Sequence, residues 1–291
     1  MNSQTLIGAH SLRAIEGEPR VAVVDCRFDL LQPAAGRQAF LAAHIPRARY
    51  ADLNRDLSSP TGPRTGRHPL PEPATFAAWL GAVGIGNDTQ VVAYDEVNGS
   101  FAARLWWLLR SLGHRAVSVL DGGFKAWTAA GGALESGEPK PCATHFSLRN
   151  DGGGLDDRGV DGRGVLSTAE VERALQDPHT LLVDARAPER YAGRVEPIDP
   201  IAGHIPGAVN HPFTANLDAD GRFLPATVLK RRWRECLAGR KPKDLIAMCG
   251  SGVTACHHLL SLEVAGLPGG KLYAGSWSEW IRDPRRPIAR G

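Results

Sequence analysis

Several things are scarce in this chain of 291 residues, and each scarcity narrows what it can be. No run approaches the ~18 consecutive apolar residues of a membrane span, and Met1 to Arg20 carries polar and charged residues where a signal peptide needs an apolar core. The expected setting is the cytoplasm, with no membrane partner. Cysteine is sparse: five residues, an odd number, without Cys-x-x-Cys spacing or a Cys/His cluster, which argues against a disulfide framework and against a bound metal. Charge of one sign is also lacking, the formal net charge being only +3. The basic run Lys230, Arg231, Arg232 and Arg234 has no interleaved aromatics to stack bases, so it reads as a solvated helix face and no nucleic-acid partner is expected.

What is present is a repeat. Val23-Val24-Asp25-Cys26-Arg27 answers Leu182-Val183-Asp184-Ala185-Arg186, and Ala43-His44-Ile45-Pro46 answers Gly203-His204-Ile205-Pro206. Val91 to Asp95 then matches Leu245 to Cys249, and Val119 to Trp127 matches Leu272 to Trp280. Units this large indicate domain duplication, since solenoid repeats span only ~20 to 50 residues. Pro139 to Gly164, rich in Gly and Asp, has a linker composition. The expected division is a domain over 1–140, a linker over 141–164 and a second domain over 165–291.

Short Val/Leu-rich runs alternate with helical patterns, the mark of βα units and a largely parallel sheet covered on both faces. The clearest strands are expected at Val21 to Asp25, Gln90 to Tyr94, Val117 to Leu120, Leu181 to Val183 and Leu245 to Met248. A helix is expected from Phe101 to Leu112, with Trp106 and Trp107 in the core. Another should follow Cys249, with Val253, Cys256, Leu260 and Val264 forming one apolar stripe and Gly266 providing the stop.

The apolar run Leu245 to Met248 ends at Cys249 and turns through Gly250-Ser251-Gly252-Val253-Thr254 into that helix. A thiolate at a helix N-terminus is stabilised by the dipole and by backbone N–H groups without intrahelical partners, so Cys249 is read as a nucleophile. Gly250 and Gly252 let the loop curl with its N–H groups inward. Cys26, Cys142, Cys236 and Cys256 lack such a setting and are read as packing or surface thiols.

This loop, the two His-Ile-Pro motifs and the ending Gly275-Ser276-Trp277-Ser278-Glu279-Trp280 resemble the tandem-domain rhodanese family of sulfurtransferases over essentially the whole chain. The resemblance implies an α/β fold of two rhodanese-like domains, each a mostly parallel sheet with helices on both faces. The first would be catalytically silent, because Asp95 stands at the cysteine position and a carboxylate cannot carry a persulfide. It implies no cofactor, a small anionic sulfur donor (3-mercaptopyruvate or thiosulfate), and a thiol, cyanide or thioredoxin-like acceptor. In two half-reactions Cys249 would take a sulfur and hand it on, while the N–H groups from Gly250 to Thr254, Val253 included, solvate the persulfide.

Arg190 matches the family's substrate-binding arginine, and Arg186 would tie to Asp184. A second arginine of mercaptopyruvate enzymes has no counterpart in Val195 to Pro200, with Arg194 as the nearby substitute. Ser251 and His68, in Gly66-Arg67-His68-Pro69-Leu70-Pro71, match a serine and histidine of that branch's proton relay, whose acid would be Asp52, Asn54 or Asp56. Thiosulfate enzymes usually carry basic residues at the places of Gly250 and Ser251, so the neutral loop favours 3-mercaptopyruvate. His44 and His204 recur in both copies and are expected to be structural. A cysteine phosphatase needs an arginine six places after the nucleophile, where this chain has Ala255. A module that relays sulfur or binds partners without turnover is the remaining alternative.

Overall fold

A computed structural model describes residues 5–148 and 164–291. Most of the expected linker, 149–163, lies outside the described residues. The chain divides into two compact units: Met1–Ser59, Pro71–Gly154 and Asp218–Phe223 form the first, and Pro60–Leu70, Leu155–Leu217 and Leu224–Gly291 the second. Two short segments thus cross the boundaries drawn on the sequence, and one of them carries His68 into the unit that holds Cys249.

In the first unit, strands β1 (Leu6–Ile7), β2 (Val21–Asp25), β3 (Arg49–Tyr50), β4 (Gln90–Tyr94) and β5 (Val117–Leu120) form a parallel sheet in the order β1-β5-β4-β2-β3. Its helices are α1 (Ala9–Arg13), α2 (Pro33–Ala42), α3 (Pro73–Ala82), α4 (Ala102–Ser111) and α5 (Gly123–Ala129). All residues of β2 are buried, which alternation of side chains permits only if both faces of the sheet are covered. Val21, Val23, Val92 and Tyr94 point into one core with Phe40, Ile45 and Trp127. Trp106 and Trp107 on α4 are buried.

The second unit repeats the topology. Strands β6 (Leu181–Asp184), β7 (Val209–Asn210), β8 (Leu245–Met248) and β9 (Lys271–Leu272) pair in parallel in the order β7-β6-β8-β9, and Val165 adds a single parallel bridge to Leu272 where β1 would lie. Its helices are α6 (Thr168–Ala174), α7 (Pro188–Tyr191), α8 (Ala226–Leu237), α9 (Thr254–Val264) and α10 (Ser276–Trp280). Helix α6 opens on a capping box, Ser167 with Glu170, which satisfies two orphan donors reciprocally. Leu182, Ile246, Met248, Tyr273, Trp277 and Trp280 make the core.

Helix α9 differs from the single stripe expected of it. Every residue from Ala255 to Leu262 is buried, including His257 and His258, because α8 packs on the side away from β8. No helix among the described residues is long and apolar enough to cross a membrane.

The two His-Ile-Pro motifs do the same work in each unit. The His44 backbone bridges Glu135 and the His204 backbone bridges Ala289. Their Nδ1 atoms bond the carbonyls of Phe40 at 2.7 Å and Tyr191 at 2.8 Å, and each imidazole stacks on that residue's ring.

Candidate active site at the end of strand β8

In open α/β sheets ligands bind outside the carboxyl ends of the strands, and that is where β8 delivers Cys249. Its side chain is 2 % exposed. The Gly252 N–H donates to Cys249 Sγ at 3.1 Å, a bond that strengthens as the sulfur gains negative charge. Gly252 has φ +77°, and a Cβ there would lie 2.3 Å from the Ala274 carbonyl oxygen, so only glycine fits.

The motif Gly275 to Trp280 holds this loop by its backbone. Cys249 N–H donates to Ser276 Oγ at 3.0 Å, while the N–H groups of Trp277 and Ser278 donate to the carbonyls of Cys249 and Gly250. The same motif receives the crossing segment Pro60–Leu70. Arg67 N–H donates to Ser278 Oγ at 3.0 Å, Gly66 N–H to Glu279 at 3.4 Å, and a Cβ on Gly66 would sit 2.6 Å from the Gly275 carbonyl oxygen. One short stretch therefore registers the nucleophile loop against the residues the segment brings.

Those residues are His68 and Arg67. His68 Nδ1 and Ser251 Oγ are hydrogen-bonded at 2.7 Å, across 183 residues of sequence, and both side chains are buried. Asp52, Asn54 and Asp56 belong to the first unit. There Asp52 accepts the N–H groups of Asn54 and Arg55, and Asp56 accepts the Asp52 N–H and pairs with Arg55.

Arg190 and Arg186 lie on one chain of alternating charges. Arg186 forks onto Asp184 and donates to the Gly203 carbonyl; Glu196 lies between Arg186 and Arg190; Asp199 bridges Arg190, at 3.1 Å, and Arg67. Arg190 is thus no isolated surface ion pair with Glu189. Both of its Nη atoms come within 3.6 Å of the position a Cβ would take on Gly250, and an Nη of Arg67 within 2.9 Å. Arg194, by contrast, is exposed. The second cation at the loop is Arg67, which the sequence reading passed over although it sits beside His68 and recurs in the other repeat, where Gly221-Arg222-Phe223 answers Gly66-Arg67-His68. Val253 precedes α9 and is buried, and Thr254 is its first residue.

The other thiols lack such surroundings. Burial, with Asp25 next, pushes the Cys26 thiol well up, and burial raises that of Cys236 to about 11, so both stay protonated near neutrality. Cys142 is exposed, and Cys256 is buried on α9. Among the described residues no three His, Cys, Asp or Glu side chains are placed to hold a metal ion.

In the first unit Asp95 follows β4 as Cys249 follows β8. Its carboxyl group accepts the N–H groups of Gly99 at 2.9 Å, Phe101 at 2.8 Å and Ala102 at 3.2 Å and so fills its own loop; burial pushes its pKa up and these N–H groups oppose the shift. A cavity of about 350 Å³ beside it is lined by Asp29, Asp95 and Glu96, and by Arg27, which is paired with Asp25 and Glu96, so acidic groups outnumber basic ones there.

Comparison with known proteins identifies the family. The rhodanese-like domain matches twice, at residues 8–130 and 167–283. A Pseudomonas aeruginosa protein named "Probable 3-mercaptopyruvate sulfurtransferase" is 51% identical over 100% of both chains. Thiosulfate sulfurtransferase of Bos taurus is 36% identical over 94% of this chain and 89% of its own. Among solved structures, 3-mercaptopyruvate sulfurtransferase from Leishmania major superposes with a TM-score of 0.82 at 31% identity, covering 98% of this chain and 76% of that one.

Proposed function

Because this chain belongs to the rhodanese family and is a sulfurtransferase, we propose that it takes the sulfane sulfur of 3-mercaptopyruvate in preference to thiosulfate and passes it on through a persulfide on Cys249. The observation that carries the donor preference is the 2.7 Å bond between Ser251 and His68 beside the nucleophile.

The Cys249 thiolate attacks the donor sulfur. With 3-mercaptopyruvate the C–S bond breaks and its electron pair stays on carbon, giving the pyruvate enolate. Ser251 delivers a proton to that carbon and recovers one from His68, and the proton given up by the donor's thiol replaces it on His68, leaving pyruvate and Cys249–S–S⁻. With thiosulfate the S–S bond breaks, sulfite leaves with the pair, and no proton is needed. An acceptor thiolate or cyanide then takes the outer sulfur and returns Cys249 as thiolate, a double displacement with ping-pong kinetics. The Gly252 N–H is already aimed at the sulfur and requires no reorganisation to hold its charge. Arg190 binds the donor's anionic end. We place the protein in the cytoplasm, assign Asp95 no chemistry, and give His68 alone among the residues of the first repeat a part in it.

The test is side-by-side kinetics with both donors and one acceptor. Wild type should show the higher kcat/KM with 3-mercaptopyruvate. Ser251→Ala and His68→Ala should each lose ~10²-fold or more with that donor, the usual worth of a positioned proton donor, and much less with thiosulfate. Equal losses with both donors would make Ser251 a loop-shaping residue and the chain a thiosulfate enzyme. Cys249→Ser should carry no added sulfur by mass spectrometry after donor treatment, while wild type carries one; sulfur mapping only to another cysteine would overturn the nucleophile.

A further inference from the structure

We propose that the cavity beside Asp95 in the first unit is a binding site for a small organic cation, an alkyl guanidinium or alkyl ammonium, held by Asp29, Glu96 and Ser100 against an aromatic wall. It takes no part in sulfur transfer and does not depend on which donor loads Cys249.

The sheet puts a crevice at this place. In the order β1-β5-β4-β2-β3, the chain leaving β2 runs to β3 on one side and the chain leaving β4 runs to β5 on the other. The carboxyl ends of β2 and β4 therefore flank a topological switch point, where open α/β sheets bind ligands. The loop after β2 brings Arg27, Phe28 and Asp29 to the cavity, and the loop after β4 brings Asp95, Glu96 and Ser100. At about 350 Å³ it lies at the lower end of the ~300 to 1,000 Å³ of small-molecule sites.

Its charge selects a cation. Asp95 spends its carboxyl group on the N–H groups of its own loop, which leaves Asp29 and Glu96 for a ligand. Asp29 Oδ1 is fixed by the N–H groups of Leu31 at 2.7 Å and Gln32 at 3.0 Å, and its Oδ2 has no partner among the described residues. Arg27 is already committed: it forks onto Asp25, donates to the Ala43 carbonyl and lies over the Phe124 ring at 4.2 Å, reaching Glu96 only at 3.7 Å.

Ser100 is an independent sign of a missing partner. It is 7 % exposed and lines the same cavity, yet its hydroxyl makes no hydrogen bond among the described residues. Hydroxyls this buried are ordinarily hydrogen-bonded, and what reaches this one comes through the cavity. A ligand N–H would donate to it. Phe28 and Phe101 also line the cavity, edge to face with centroids 5.7 Å apart, and a ring face attracts a cation while covering its alkyl stem.

The two copies differ here by more than the nucleophile. Asp95 alone removes the thiol. Yet Phe28, Asp29 and Glu96 also stand at the positions that answer Ala187, Pro188 and Gly250, so a ring and two carboxylates replace small or uncharged residues.

Isothermal titration calorimetry of the full chain with n-butylguanidinium, N-acetylarginine amide and uncharged 1-pentanol tests the site. One n-butylguanidinium per chain should bind with a Kd at or below about 1 mM, more weakly as salt is raised, and pentanol should not bind. The double variant Asp29→Asn/Glu96→Gln should bind at least ~10-fold more weakly, a loss moderated by the exposure of Glu96, and Ser100→Ala roughly 10-fold more weakly. Binding of both cations would show that the arginine of a partner chain fits as well; binding of n-butylguanidinium alone would restrict the site to free cations. A thermal melt checks that the variants fold.

No saturable binding of either cation at millimolar concentration overturns the site, as does equal binding of pentanol or wild-type affinity in Asp29→Asn/Glu96→Gln. Should that variant fail to fold, Ser100→Ala decides by the same readout, and wild-type affinity in it overturns the site equally.

Discussion

At the scale of single residues, the site depends on what is absent as much as on what is present. The loop after Cys249 has room for a backbone N–H on one side and for the arginine side chains on the other, and Gly252 and Gly250 leave that room. Replacing Gly252 by alanine puts a methyl 2.3 Å from the Ala274 carbonyl oxygen at a φ of +77°. The loop must shift, and with it the N–H that meets Cys249 Sγ. We expect Gly252→Ala to lower sulfur loading at least ~10²-fold, as loss of a preorganised donor does, with a stability cost of about 1 to 3 kcal/mol. Single-turnover loading and a thermal melt measure the two effects; loading at the wild-type rate would show that this N–H is dispensable. The loop motif and Ser251 were legible at this scale because they are contiguous with the nucleophile. Arg67 was not, because nothing in the local pattern separates an arginine that pairs with Asp199 in the folded chain from a solvated one.

Among the elements, α9 shows how a helix that begins at the nucleophile is anchored. Its far side is built of polar side chains that satisfy one another. His258 Nε2 donates to the His211 carbonyl at 2.8 Å, its Nδ1 lies 3.3 Å from the Asn216 amide nitrogen, and His211 Nε2 lies 3.1 Å from Asn216 Oδ1. Trp233 on α8 donates to Ser261 at 2.6 Å, and His257 meets the Phe213 ring edge-on. This seam has a pH signature. Burial lowers His258 well below the ordinary imidazole value, with His211 and His257 adding repulsion; burial also lowers His211, with Asn216 opposing and Arg232 assisting. Both groups are protonated more readily in the unfolded chain than in the folded one. Stability from the seam is therefore complete above the unfolded value of ~6.5 and falls as pH drops below it, by up to ~1.4 kcal/mol per unit for each histidine. Thermal melts from pH 7.5 to 5.5 should show a declining Tm, and His258→Gln should flatten the decline. An unchanged slope in that variant would remove His258 from the effect. Periodicity gave the helix and one buried stripe, with Cys256 and Leu260 on it, but not the second buried face, since α8 comes from a distant part of the chain.

For the whole molecule, the two copies differ at the positions to which we assign the chemistry. At the positions that answer Cys249, His68 and Arg190, the first repeat and its returning segment carry Asp95, Phe223 and Leu31. Restoring one of the three does not restore the site. Asp95→Cys should gain no sulfur from either donor, because the cavity there still presents Asp29 and Glu96 to an anion and Leu31 is 72% exposed where Arg190 is drawn in by its carboxylates. The same variant should lose about 1 to 3 kcal/mol of stability, since three backbone N–H groups exchange a carboxylate for a thiol. Mass mapping of a donor-treated Asp95→Cys/Cys249→Ser variant checks this; sulfur on the new cysteine would mean that the strand-end loop alone suffices.

By itself the sequence determined the repeated βα pattern, the strands and the thiol at a helix start, while His68 was reached only through its likeness to a family motif. These depend on local chemistry: period, turn residues and contiguous motifs, read off one stretch at a time. The tertiary structure decided which distant groups share that chemistry. It sent Pro60–Leu70 into the unit of Cys249, bound Ser251 to His68 across 183 residues and joined Arg67 to Arg190 through Asp199 across 132. The physical reason is that a guanidinium chooses its carboxylate by distance and burial in the folded chain, and those are properties of the packing of segments that no spacing along one of them contains.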